Sequence, residues 1–204
     1  MRKISIIDSI EESIKVIKKG GVIVFPTDTI YGLVCDATNQ KAIQKLFQIK
    51  KRDLKKPIPV FVKDIEMAKQ IAVVDEKQES FLKKVWPGKV TVILRAKIDF
   101  PQGVLGEDKT IGLRIPDYAR LNALFNKINK PLSGTSANLA GEPSSTDINN
   151  VLAQFANEKL QPDLIVDAGT LNSSQSSTVV DLTSKELKVL RKGDLKEEEL
   201  LKIF

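Results

Sequence analysis

The chain has 204 residues, 42% hydrophobic and 28% charged, values ordinary for a globular protein that buries a core, which exclude disordered and fibrous classes. It carries 32 basic against 26 acidic residues, a net +6, with no histidine and one cysteine; this excludes Ser-His-Asp and Cys-His catalysis, histidine-ligated zinc and a disulfide framework. No segment approaches the roughly 18 apolar residues of a membrane span, and the apolar start at Ile4 is broken by Ser5 and ended by Asp8, too short for a signal peptide, so a soluble cytoplasmic protein with no membrane partner is expected.

In chain order, residues 9–19 predict a helix with Ile10, Ile14 and Ile17 on one face, a capping box between Ser9 and Glu12, and a stop at Gly20-Gly21. VIVF (22–25) reads as a buried strand. Residues 40–50 predict a helix with Ile43, Leu46, Phe47 and Ile49 inward, and PVFV (59–62) a strand. Helices follow over 64–72 and 78–85, stopped by Trp86-Pro87-Gly88, then the strand VTVIL (90–94). TIGLRI (110–115) alternates, placing Ile111, Leu113 and Ile115 on one face and Thr110, Gly112 and Arg114 on the other. Leu121, Leu124, Phe125 and Ile128 form a helical stripe, and 131–138 reads as a short strand entering a polar loop. Asp147 can cap a helix carrying Ile148, Val151, Leu152 and Phe155. Strand signals at 164–169, 177–182 and 187–191 precede a terminal helix over 197–203. This alternation predicts one α/β domain on a twisted, mixed sheet flanked by helices.

Charge is uneven. Eight basic residues against one acid, Asp53, lie between 41 and 63, and five with no acid between 80 and 98. Such clusters are either solvated lysine on helix surfaces or the footprint of an anionic partner such as nucleotide, phosphate or RNA. Only six of the 32 basic residues are arginine (Arg2, Arg52, Arg95, Arg114, Arg120, Arg191), so the places that can offer a planar fork are informative.

Four polar features sit at the ends of predicted elements. PTDTIYGL (26–33) is a strand exit with exposed hydroxyls, Asp28 being able to cap a turn or hold a metal. KKRDLKKP (50–57) packs Lys50, Lys51, Arg52, Lys55 and Lys56 together, as dipole compensation or as an anion site. SGTSANLAGEPSST (133–146) has the small residues that let a backbone approach a ligand, or is a plain loop; neither a Walker A loop nor a dinucleotide fingerprint occurs. Arg114 and Arg191 lie on strands, where a structural ion pair is the competing reading. Trp86 and Cys35 read as buried core residues.

PTDTIYGL, KKRDLKKP, WPGKVTVIL (86–94), TIGLRIP (110–116), TSANLAGEPS (135–144) and STVVDL (177–182) with LRKG (190–193), in this order, resemble the YrdC-like family, the threonylcarbamoyl-AMP synthases. The resemblance runs from about residue 20 to 193. It implies a single catalytic domain over 1–204 around a concave basic cavity, of the short single-domain type. The implied activity is a nucleotidyltransferase that forms threonylcarbamoyl-adenylate and pyrophosphate from L-threonine, bicarbonate (or CO2) and ATP with Mg2+. Its product feeds threonylcarbamoyl modification of adenosine 37 in tRNA through a downstream transferase complex; direct tRNA binding is left open. By resemblance Lys50 and Arg52 are catalytic; Arg52, Lys56, Thr110, Ser136, Asn138, Ser144 and Arg191 bind ATP; and Thr29, Arg114 and Ser177 bind threonine. No protein ligand to a metal is implied. The implied chemistry needs no protein nucleophile: the substrate amine takes up CO2, and the carbamate oxygen attacks the α-phosphate. Two departures from the family pattern occur: Phe61 stands where many two-domain relatives have histidine, and SQSST (174–178) replaces the usual run before the late strand. The competing reading is a non-catalytic module for double-stranded RNA or tRNA, resting on the charge, against which stand few aromatic residues and no RNA-binding signature.

Overall fold

The computed structural model describes residues 2–6, 9–172 and 174–204. Eleven strands and seven α-helices are found among them, with a short 3-10 helix at Glu107–Lys109. Strands β1 (Arg2–Ser5), β9 (Leu164–Asp167), β2 (Ile23–Phe25), β3 (Gly32–Val34) and β8 (Thr135–Ser136) form one sheet in that spatial order. Strands β11 (Lys188–Arg191), β10 (Thr178–Asp181), β5 (Val90–Arg95), β6 (Thr110–Arg114), β4 (Val60–Phe61) and β7 (Leu132–Ser133) form the second. Both sheets mix parallel and antiparallel pairs. The mixed α/β class stands as expected, but one sheet was expected and two are present.

The sheets meet at residues 132–136. Leu132 and Ser133 pair antiparallel with β4, and Thr135 and Ser136 pair antiparallel with β3. Gly134 carries the chain between them, and its N–H donates to Pro59 O at 2.8 Å. A Cβ there would lie 2.7 Å from the Phe61 ring, so the crossing needs a residue with no side chain.

The core explains the strand sequences. Val22, Val24, Leu33 and Cys35 face the main cluster, while Ile23, Phe25 and Val34 face a second cluster beneath α1 (Ser9–Lys18) and α5 (Ala119–Ile128). The first sheet is thus covered on both faces, which is why VIVF is a continuous apolar run. Ile43, Leu46, Phe47 and Ile49 of α2 (Gln40–Lys50) are buried, as are Leu121, Leu124 and Phe125 of α5. Helices α3 (Ile65–Ile71) and α4 (Glu76–Val85) begin at the caps Asp64 and Asp75, and α6 (Ile148–Phe155) at Asp147; α7 (Glu197–Ile203) closes the chain. Trp86 is buried, with its indole N–H donating to Val90 O at 2.7 Å. No helix of the described residues is long and apolar enough to cross a membrane.

The expected capping box at Ser9 does not form. The Ser9 hydroxyl donates to Ile6 O at 2.8 Å, and Glu12 instead pairs with Arg2 and Lys15. The tetrad resembles a box in sequence, but ion pairs to two cations win over a single backbone donor.

Candidate active site

Loops and strand ends from both sheets converge on one cavity of about 110 Å³ beside the seam. Its charged lining side chains are Arg52, Arg114 and Arg191, three of the six arginines in the chain. Its hydroxyls include Thr27, Thr29, Thr135, Ser136 and Ser177, and the Phe61 ring forms an apolar wall. A neighbouring cavity of about 190 Å³ shares Arg52, Pro59 and Arg191, and is otherwise walled by Pro57, Ile93, Thr110, Gly112 and Val179 among others.

The arginines arrive by different routes. Helix α2 ends at Lys51, whose left-handed backbone (φ 52°) lets its N–H and that of Arg52 close onto Gln48 O and Phe47 O. Lys50 points inward from the buried face of α2, and the reversal after it turns Arg52 toward both cavities. Arg52 Nε and Nη2 donate to Lys56 O (2.9 Å) and Pro57 O (3.1 Å), so the 56–57 backbone fixes the guanidinium. Arg114 ends β6 on the face that the alternation of TIGLR predicts, with Thr110 and Gly112 of the same face in the neighbouring cavity. Arg191 ends β11 and donates to Ser177 O (2.8 Å) and Ser177 Oγ (3.1 Å). Gly193 follows, where a Cβ would lie 2.4 Å from Ser176 O. Burial first, then the charges of Arg114 and Arg52, pushes Arg191 below its ordinary value. Three cations facing one space repel one another, and an anion placed among them relieves that cost.

Asp28, whose role the sequence left between metal ligand and turn cap, is the partner of Arg114. Its Oδ1 accepts from Arg114 Nη2 at 2.5 Å and its Oδ2 from the Asp117 N–H at 3.1 Å. Both side chains are buried, at 4% and 7% exposure. Arg114 Nε donates to Gly88 O (2.8 Å), the carbonyl that the Trp86-Pro87-Gly88 turn presents, and Nη1 to Thr29 Oγ1 (3.3 Å). The Phe61 ring lies 5.8 Å from the guanidinium carbon, within cation–π range.

Lys50 is 2% exposed and is absent from the lining of either cavity. Its Nζ donates to Ser136 O (2.7 Å), Asn138 O (3.0 Å) and Asn138 Oδ1 (2.7 Å), with Ser136 Oγ at 3.3 Å. Burial, with Arg52 nearby, pushes Lys50 down to about 7, while four acceptors around the ammonium favour its charged form. Asn138 completes the knot, donating to Leu139 O (3.0 Å) and Glu142 O (2.5 Å). Lys50 and Asn138 therefore shape the loop that carries Ser136 to the cavity edge. Ser177 Oγ lies 2.8 Å from Thr91 Oγ1.

Of the residues singled out from sequence, Thr29, Arg52, Arg114, Ser136, Ser177 and Arg191 meet in the first cavity, and Thr110 joins Arg52 and Arg191 in the second. Lys56 and Ser144 are exposed and line neither. Sequence reasoning passed over Thr27, Thr135, Ser176 and Tyr31. The Tyr31 hydroxyl donates to Gly169 O (2.8 Å) and accepts from Ala168 N (3.0 Å), tying β9's exit to the cavity rim; burial pushes it up to about 12. Both Thr27 and Tyr31 lie in the PTDTIYGL segment, but nothing in the sequence marks the partners of Tyr31 at 168–169. Cys35 is buried and pushed up to about 12 by burial, so its thiol is not a nucleophile.

Residues 15–193 match the family model of the Sua5/YciO/YrdC domain, described as "Telomere recombination". The chain is similar to the threonylcarbamoyl-AMP synthase of Pyrococcus abyssi, 30% identical over 189 residues, covering 92% of this chain and 55% of that protein. It is similar to the enzyme of the same name from Bacillus subtilis, 31% identical over 194 residues, covering 94% of this chain and 55% of that protein. The solved structure of P. abyssi Sua5 complexed with L-threonine superposes with a TM-score of 0.89 at 28% identity, over 99% of this chain and 60% of that one. The chain thus spans little more than half the length of these relatives. With the family model matched from α1 to the glycine after β11, the chain belongs to the Sua5/YciO/YrdC family.

Proposed function

We propose that this chain is an L-threonylcarbamoyladenylate synthase, joining L-threonine, bicarbonate or CO2, and ATP into threonylcarbamoyl-AMP with release of pyrophosphate. The observation that carries the reading is the convergence of Arg52, Arg114 and Arg191 on one cavity, with Thr29 against Arg114. Threonine, bicarbonate and ATP all bring negative charge, and none needs a histidine. Arg114 with Thr29 and Ser177 takes the amino acid. Arg52 and Arg191, which line both cavities, take the phosphates, and the more apolar second cavity with Thr110 takes the nucleoside. Ser136 contacts the nucleotide from the loop that Lys50 and Asn138 hold, and exposed Lys56 and Ser144 extend the contacts at the rim. The threonine complex of the P. abyssi relative and the name it shares with the B. subtilis protein support the amino-acid side.

The substrate amine, in its neutral form, adds to CO2 and gives up one proton to solvent, leaving a carbamate whose oxygen attacks the α-phosphorus as the bond to pyrophosphate breaks. The protein positions three anions and neutralises charge developing on the phosphates. Mg2+ bound to ATP would supply further neutralisation of the phosphates beside Arg52 and Arg191. The product goes to a cytoplasmic transferase system acting on tRNA. Within the basic stretch that suggested an RNA-binding module, Lys45 pairs with Asp163, Lys51 with Glu158, Lys50 is buried and Arg52 lines the cavity, which favours the enzyme reading.

The test is incubation with ATP, Mg2+, bicarbonate and L-threonine. Pyrophosphate release and an AMP adduct, both dependent on threonine, are expected; release independent of threonine overturns the reading.

A further inference from the structure

Hydroxyl rotors are fixed where their partners leave one choice, and the PTDT turn is such a place. Thr27 Oγ1 lies 2.7 Å from Ile30 O, which can only accept, so the single Thr27 proton points there. Thr27 Oγ1 also accepts the Thr29 N–H at 3.1 Å. Its remaining contact, with Thr29 Oγ1 at 3.0 Å, can then be made only by the Thr29 proton. Thr29 Oγ1 meanwhile accepts from Arg114 Nη1 at 3.3 Å. Thr29 has spent its proton and one lone pair, and what remains toward the cavity is a lone pair. Both threonines are buried, at 4% and 2% exposure, so no bulk water competes for these bonds.

We infer that Thr27 is a positioning residue: it locks the Thr29 hydroxyl as a hydrogen-bond acceptor, and that acceptor takes an N–H of the substrate's α-amine. This rests on the amino-acid reading above. A free hydroxyl would donate to a carboxylate as readily as accept from an amine. A locked one refuses the carboxylate and assigns each end of the amino acid its own place. The carboxylate goes to Arg114, which has committed three of its five N–H groups, to Gly88 O, Thr29 Oγ1 and Asp28 Oδ1, and keeps two. An α-amino acid carries its amine next to its carboxylate, as Thr29 Oγ1 lies next to the Arg114 fork. Once the ammonium has lost a proton to solvent, an amine held through one N–H keeps its nitrogen lone pair free to attack CO2. The same count holds across the cavity, where Ser136 Oγ donates to Asn138 Oδ1 (2.5 Å) and lies 3.3 Å from Lys50 Nζ as acceptor.

The test compares L-threonine with 3-hydroxybutyrate, the same skeleton without the amine, by titration calorimetry on wild type, Thr27→Val and Thr27→Ser. Valine keeps the shape and removes the oxygen, freeing the Thr29 proton to turn toward the cavity. Thr27→Val is expected to weaken threonine about tenfold, the order of one hydrogen bond, and to leave 3-hydroxybutyrate unchanged; Thr27→Ser restores threonine binding. Retained 3-hydroxybutyrate binding also shows that the valine variant is folded. Equal weakening of both ligands, or of neither, overturns the inference while leaving the proposed activity standing. Wild type that binds neither ligand overturns both.

Discussion

The wall behind the first cavity and the outer face of α3 and α4 use the same side chain in opposite ways. Lys50 is buried, and its ammonium meets only oxygens of the Ser136–Asn138 loop. Lys69 is on the surface, 2.7 Å from Glu79, which also pairs with Lys83 at 2.7 Å. At the surface, water replaces any partner that leaves, so the pairs are worth little. In the wall nothing replaces the partner, and a lysine removed leaves its acceptors bare. Lysine count and net charge therefore say little about this molecule; what matters is which cations are enclosed and what encloses them.

Four substitutions test that contrast, the largest effect first. Asp28→Ala leaves the Arg114 guanidinium buried without its carboxylate, and breaking such a pair costs about 3–5 kcal/mol. Urea denaturation should show it, and a midpoint equal to wild type would erase the distinction between wall and surface. Arg52→Ala removes a fixed donor at the cavity and should lower threonine-dependent pyrophosphate release on the order of 10²–10³-fold, with circular dichroism unchanged; wild-type rates would take Arg52 out of the site.

Lys50→Met strips the loop of its central donor and should cost about 1–3 kcal/mol. Its pH dependence has a definite sign. The folded chain holds Lys50 at about 7 against the usual 10.5, so between those values the native state binds fewer protons than the unfolded one. The cost of keeping Lys50 charged is full below about 7 and fades as pH rises toward 10.5. Wild type should therefore gain stability relative to Lys50→Met across that window, and a constant difference sinks the point. Glu79→Gln should do least. Hydrogen bonds from Lys69, then Lys83, hold Glu79 down to about 2 from 4.5, so its small contribution is present above 4.5 and lost as pH falls toward 2. Thermal melts of wild type and variant should converge at the acid end and separate only slightly near neutrality; a difference as large as that of Lys50→Met would refute the contrast.

The sequence announced most elements through apolar spacing, because α2 and α5 each bury one face and VIVF buries both. It did not announce β1, an edge strand with exposed side chains, or β3, three residues that include a glycine. Nor could it separate two sheets from one, since that depends on pairings such as Gly32 with Ser136 and Val60 with Ser133. Within the site, the rarity of arginine made Arg52, Arg114 and Arg191 visible. The inward course of Lys50 follows from its place on the buried face of α2, one turn beyond Leu46, but the oxygens of residues 136–138 that receive its ammonium were not visible, because folding brings them there. Tyr31 acts through Ala168 and Gly169, partners that only folding supplies.

The crossing at Gly134 has a mechanical consequence. Five consecutive residues, 132–136, are bonded into both sheets: Leu132 and Ser133 to β4, Thr135 and Ser136 to β3, with the Ser133 N–H also donating to Cys35 O at 2.9 Å. A run stitched on both sides resists shear, so the sheets cannot slide past each other without tearing the floor of the cavity. Such a floor is assembled before any ligand arrives, so binding energy is not spent on assembling it.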